Sequence, residues 1–185
     1  MKKIVLLVCA LLFSGDAVAA ENPTPYEGWQ DRTIKALSPQ EIDDLRDGRG
    51  MGLALAAELN SYPGPRHVLD LAERLGLSGE QREAVQTIFD GMQREARRLG
   101  ALLLQRESAL DAAFRDGQAD AAGLRSDLEV LAALEGELRF VHLRSHLAVR
   151  DLLSAEQVVR YNALRGYDTA ANGPHQHGGH GSATR

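Results

Sequence analysis

The sequence predicts an all-α protein, an elongated antiparallel helical hairpin with shorter flanking helices, and three observations carry that reading. Two similar phrases, Leu77-Ser78-Gly79-Glu80-Gln81 and Leu153-Ser154-Ala155-Glu156-Gln157, each place Ser three residues ahead of Gln at the head of a periodic apolar run. That is the capping-box pattern, in which the Ser side chain takes the N3 amide proton while Gln reaches back to the Ser amide, with the preceding Leu as a hydrophobic staple. Second, the apolar residues of the long central stretches recur at threes and fours, the period of a helix with one buried side. Third, no stretch alternates with the period of two that a half-buried strand requires.

Taken in order, residues 1–19 read as a signal peptide: Lys2-Lys3, an apolar run from Ile4 to Phe13, and a small-x-small cleavage site at Ala17-Val18-Ala19. The run is about ten residues long, short of the roughly twenty that span a membrane. The only cysteine, Cys9, leaves with this leader, so the mature chain has neither disulfide nor thiol. Residues 20–37 read as an extended arm, followed by a helical domain over 38–167. Ser38-Pro39-Gln40-Glu41 opens it with a cap, Pro at N1 and Glu at N3. Gly48, Gly50 and Gly52 interrupt, and Met51 to Leu59 resumes as a small-residue helix. Tyr62-Pro63-Gly64-Pro65 breaks the chain; a helix from Pro65 to Leu75 then closes at Gly76.

The first long helix is expected from Ser78 to about Phe114 and the second from Asp120 to about Leu152, joined by a turn at Asp116–Asp120. The Ser154 cap opens a short last helix ending at Gly166. Two helices of roughly 50 Å in one layer cannot enclose a broad core. One apolar face therefore stays open or meets a second subunit, so a homodimer is expected, with Leu99, Leu103, Leu131 and Leu138 as the dimer or client surface. Residues 168–185 carry His175, His177 and His180 among Gly residues and read as a flexible tail.

Removing Lys2, Lys3 and Asp16 with the leader leaves 19 basic and 25 acidic groups, and Lys35 is then the only lysine. Such a balance argues against nucleic acid as a partner. Trp29 is the sole tryptophan and aromatics are few, so no organic cofactor is expected.

The residues that could carry chemistry are histidines. His142 and His146 lie one turn apart on the second long helix. With Leu131 as zero, they fall at about 20° and 60°, and Glu135 at about 40°, all along the apolar seam. The pair can share one metal ion, with Glu135 reaching an ion that bridges to a partner helix; alternatively each ring is a half-buried side chain bonded to a carboxylate or carbonyl. His142-Leu143-Arg144-Ser145-His146 has Leu where a zinc peptidase carries its base. His175, His177 and His180 can chelate one soft or borderline ion such as zinc or copper, and for the chain as a whole zinc, copper and nickel are the candidates. His67 reads as a surface residue. No nucleophile-base-carboxylate arrangement is visible, and the chain is not expected to be an enzyme.

The two Leu-Ser-x-x-Gln phrases resemble the paired Leu-Thr-x-x-Gln motifs of the Spy/CpxP group of bacterial periplasmic proteins, with Ser78 and Ser154 keeping the capping hydroxyl and Gln81 and Gln157 in place. The resemblance covers roughly Pro65 to Tyr167. It implies a periplasmic, ATP-independent chaperone of the stress or metal-resistance class, an elongated dimer that binds unfolded or stressed envelope proteins. A zinc-associated relative with a His-rich tail resembles the run from His175 to His180. A heavy-metal sensor with helix-borne His and Glu ligands, controlling a membrane-bound regulator, is the alternative that His142 and His146 suggest. The best-known chaperone of the group is basic where this chain is acidic, which leaves apolar contacts as the means of holding clients.

Overall fold

A computed structural model describes residues 24–167, and within them every regular element is helical. The molecule is organised by α5 (Gly79–Arg115) and α6 (Ala121–Leu152), 37 and 32 residues long, packed antiparallel. At 1.5 Å per residue they span about 55 and 48 Å. Gly117, at φ 68°, makes the left-handed step of the turn between them. Asp120 then accepts from the amides of Ala122 and Gly123 to start α6.

The shorter elements are α1 (Pro39–Asp47), α2 (Leu55–Glu58), α3 (Pro65–Asp70), α4 (Ala72–Leu75) and α7 (Ala155–Arg165). Local chemistry sets their ends. Capping boxes open α1 at Ser38, α5 at Ser78 and α7 at Ser154. The stretch expected as one helix from Pro65 to Leu75 is interrupted at Leu71 (φ −105°, ψ 10°), which separates α3 from α4. The helix expected from Met51 to Leu59 is reduced to the single turn of α2. Left-handed Met51 and Gly52 precede it and left-handed Ser61 follows. Such residues end a helix because that backbone region is closed to helical propagation for L-residues.

The two Ser-x-x-Gln phrases meet in space. Gln81 Nε2 donates to Gln157 Oε1 at 2.9 Å and Gln157 Nε2 donates to Gln81 Oε1 at 3.0 Å. Each Oε1 also accepts its own cap amide, from Ser78 and Ser154. Gln81 Nε2 further donates to the Leu152 carbonyl at 2.8 Å. The repeated phrase is thus one clasp that closes the open end of the hairpin.

Two apolar cores lie along the hairpin. The basal one gathers Val68, Leu75, Val85, Val149, Leu153, Val158 and Tyr161, where α3, α4 and α7 close over the ends of α5 and α6. Its fully enclosed valines, Val68, Val85 and Val149, are each worth about 1.5–3 kcal/mol of burial. The upper one gathers Leu45, Ala96, Leu99, Leu103, Leu131, Leu138 and Val141 under α1. The N-terminal segment therefore supplies the missing layer. Leu99, Leu103, Leu131 and Leu138, expected as a dimer or client surface, are at most 4% exposed within a single chain. α1 reaches them because α5 carries Gly100. A Cβ at that position would lie 2.1 Å from the Leu45 carbonyl oxygen. The arm is also not wholly extended: Trp29–Asp31 form a 3-10 turn, Ile34 is buried, and the Lys35 amide donates to Asp111 of α5. Among the described residues no helix is long and apolar enough to cross a membrane.

Candidate metal-binding pocket at the waist of the hairpin

Between the two cores the buried face of α6 turns polar. His142, Ser145 and His146 are all buried there, flanked by Val141 and Val149. The Ser145 hydroxyl is satisfied locally, donating to the His142 carbonyl at 2.6 Å. The two imidazoles border a hollow of about 390 Å³ that Phe89 and Met92 of α5 line on one side and Glu58 and Gly64 on the other.

Glu58 ends α2 and is 5% exposed. Between Arg49 and Arg66 it is the only charged residue, and it gathers partners from three parts of the chain. Its Oε1 accepts from Tyr161 Oη, from Tyr167 Oη at 3.2 Å and from His67 Nδ1 at 3.3 Å. Arg165 Nε stands 3.5 Å away as an ion pair. Oε2 accepts from the Gly64 amide at 3.1 Å and lies 3.7 Å from His146 Nδ1. Burial pushes the Glu58 carboxyl up. The hydrogen bonds from His67 and Tyr161 and the charges of His67 and His146 outweigh it and hold the group at about 2. Burial, then the hydrogen bond to Glu58 and its negative charge, drives the Tyr161 hydroxyl well above the ordinary phenol range, so it stays a donor.

The tautomer of His146 follows from its contact. Nδ1 lies 2.7 Å from the Tyr62 carbonyl oxygen, which can only accept. The proton therefore sits on Nδ1, which leaves Nε2 as the nitrogen through which this ring could ligate an ion. His142 Nε2 is buried with no hydrogen-bond partner. Burial, and then the neighbouring His146 charge, lowers its pKa and favours the neutral ring. A buried polar atom without a partner is costly, of order 1–3 kcal/mol, and calls for a water or an ion; Asn162 Oδ1 and Arg165 Nε share that condition, but only His142 Nε2 belongs to a ring that borders this hollow. Gly64 adds a cradle. A Cβ there would stand 2.9 Å from His146 Cε1, 3.1 Å from its Nε2 and 3.3 Å from Glu58 Oε2, so the absence of a side chain is what lets the imidazole and the carboxylate close in on this backbone.

The donor chemistry, two imidazoles, a carboxylate and the neighbouring His67, is that of a borderline divalent cation. Among the described residues no three His, Cys, Asp or Glu side chains are already placed to hold an ion. Binding thus requires a change of side-chain rotamer, for which the hollow leaves room. Glu135 does not belong to this site. It is exposed and borders a separate hollow with Leu45 and Glu107, where burial and then the Glu135 charge raise the Glu107 pKa. Helical direction put Glu135 on the same side as His142, but it stands nearly two turns away, at the level where Glu41 and Leu45 of α1 pack. His67, read as a surface residue, has its side chain 41% exposed and turns Nδ1 to Glu58. His175, His177 and His180 lie outside the described residues, as does the expected leader.

Glu58, Tyr161 and Gly64 were not singled out as site residues from the sequence. The available signal was the isolation of Glu58 in an otherwise uncharged stretch. Comparison of the chain with protein-family models, curated proteins and solved structures gives no match. Geometry alone therefore carries the functional reading.

Proposed function

We propose that the protein handles a borderline divalent metal ion in the cell envelope, as a periplasmic metal-resistance or sensor protein that binds rather than catalyses. The observation that supports this most directly is the buried, partnerless Nε2 of His142, one helical turn from the Nε2 of His146 and beside the hollow that Glu58 borders. His142, His146 and Glu58 would hold the ion, with His67 within reach of the carboxylate. Zinc, copper and nickel suit that donor set. In this reading the ion is the signal or cargo, and a membrane-bound regulator is the partner that receives its effect.

The test uses full-length mature chain with His175, His177 and His180 replaced by Ala, so that only the pocket can bind. Calorimetry with zinc, nickel and copper should give micromolar or tighter binding to one site, weakened at least tenfold by His142→Ala. Absence of binding in the tail-substituted protein would overturn the reading.

A chaperone of stressed envelope proteins is the second reading, and a particular surface favours it. Phe140 and Leu147, seven residues apart on one face of α6, are 51% and 53% exposed, on the side away from the core. Gly136 lies on that side with nothing near its missing Cβ. This stripe takes the role first given to the seam leucines, as the face for clients or for a second copy. Suppression of aggregation of a denatured client at substoichiometric ratio, lost in a Phe140→Ser/Leu147→Ser variant, is the expected result. No suppression at any ratio would remove this reading.

A further inference from the structure

We infer that the C-terminal helix α7 is the reporter of the pocket, because the two oxygens of Glu58 serve different ends of the molecule. This inference rests on the metal reading above and extends it to regulation. Oε2 faces the Gly64 amide and His146, on the side of the cradle. Oε1 is held by Tyr161 Oη and Tyr167 Oη, with Arg165 beside it, all three on α7 or just after it, and it takes one further hydrogen bond from His67 of the pocket wall. Tyr161 touches no other part of the hollow's donor set except His67, whose Nδ1 stands 3.4 Å from its hydroxyl. Tyr161 is therefore a positioning residue: it orients the carboxylate that the ion would use.

The second tie between α7 and the pocket wall is independent. Asn162 Nδ2 donates to Ser61 Oγ at 2.8 Å, and Ser61 holds a left-handed backbone, φ 67°. A non-glycine residue in that region is strained and persists only where its surroundings enforce it. α2 is a single turn between left-handed residues that packs on α6, and Tyr161, Tyr167 and Arg165 add to its carboxylate the ties that come from α7 and the residues after it. α7 in turn rests on the basal core through Val158 and fully buried Tyr161.

Fixing Oε2 on an ion fixes the whole carboxylate, and with it the hydrogen-bonded ring of Tyr161. Ion binding and docking of α7 then reinforce one another, and linkage requires the effect to be equal in both directions. Partners that orient a ligating side chain typically change metal affinity by about 10–100-fold when removed. Tyr161→Phe keeps the buried ring and deletes only the hydroxyl. It is expected to raise the zinc Kd about tenfold.

The experiment uses the full mature chain with the three tail histidines replaced by Ala. Zinc titration by calorimetry is paired with hydrogen exchange of the Val158–Arg165 amides, with and without zinc. Cobalt(II) absorption reads the ligand field directly, a signature that a merely stabilising hydroxyl would not move. The inference expects weaker zinc binding and an altered cobalt band in Tyr161→Phe. It also expects slower exchange of the α7 amides with zinc in the parent, and loss of that slowing in Glu58→Gln. If Tyr161→Phe fails to fold, Tyr167→Phe removes a more peripheral hydroxyl from the same oxygen and is read in the same way. Zinc binding of equal strength in parent and variants, with α7 exchange unchanged, would overturn the coupling and leave the metal site standing. Tighter binding in Tyr161→Phe would overturn it too, since tyrosine and metal would then compete. No zinc binding by the parent would overturn the metal reading itself, and this inference with it.

Discussion

The Gln81–Gln157 clasp can be dissected by a double-mutant cycle. Gln81→Ala removes four hydrogen bonds: two shared with Gln157, one accepted from the Ser78 amide and one given to the Leu152 carbonyl. At a net of about 1 kcal/mol each, less where water can replace a partner, the expected cost is about 2–4 kcal/mol. Gln157→Ala loses the same two shared bonds and the Ser154 amide, while its contact with the Gly76 carbonyl is long at 3.5 Å. Its expected cost is about 2–3 kcal/mol. The double variant loses the shared pair only once, so its cost should fall short of the sum by about 1–2 kcal/mol. Urea unfolding followed by helical circular dichroism at neutral pH measures all three, provided the slope with denaturant is unchanged among them. Additivity within about 0.5 kcal/mol would refute the reasoning, because it would mean that the two amides act as separate caps and not as one clasp.

Gly100→Ala should destabilise by more than 1 kcal/mol although alanine is the better helix former by about that amount, because its methyl would collide with the Leu45 carbonyl; thermal unfolding gives the sign, and a stabilised variant would contradict the close approach of α1. Glu58 has a pKa held at about 2, below the ordinary 4.5. A lowered carboxyl pKa contributes stability above the unfolded value and loses it as pH falls through the folded one. The loss is therefore expected between about pH 5 and pH 2, worth about 2–3 kcal/mol. Urea midpoints at pH 7 and pH 3 should show this for the parent and much less of it for Glu58→Gln. Gly64→Ala, whose backbone angles (φ −79°, ψ 143°) suit alanine, should keep the helix content while weakening zinc binding at least tenfold by calorimetry, since the new methyl, 2.9 Å from His146 Cε1, would push that ring away from Glu58. Unchanged zinc affinity would remove Gly64 from the site.

Local signals foretold the helices well. Ser38, Ser78 and Ser154 open theirs through side-chain and backbone chemistry that is complete within four residues. The hairpin followed from the period of its apolar residues. The cover supplied by α1 was not legible, because it depends on where a nine-residue helix lands, and Gly100 reads in sequence only as a weak point of a helix. The waist was half legible. The spacing of His142 and His146 put them on one inward face, while Glu135, expected to reach an ion bridging to a partner helix, is exposed and borders a different hollow within the single chain. Glu58 was hidden for a different reason. Its partners Tyr161 and Tyr167 stand more than a hundred residues away, and no local rule connects them.

The hairpin is supported unevenly. The basal core, the clasp and the waist hold its lower half, the upper core under α1 holds the next stretch, and among the described residues Lys35 bound to Asp111 is the outermost hydrogen bond from the N-terminal segment to α5. Beyond it α5 and α6 run to their turn, where Phe114 and Leu128 are largely exposed. From Met92 at the waist to the end of α5 is about 35 Å of helix, so a tilt of about 5° at the waist would carry the turn sideways by about 3 Å. The upper core and the Lys35–Asp111 tie ride on this stretch, so any such tilt would carry α1 and the segment before it along with the distal hairpin.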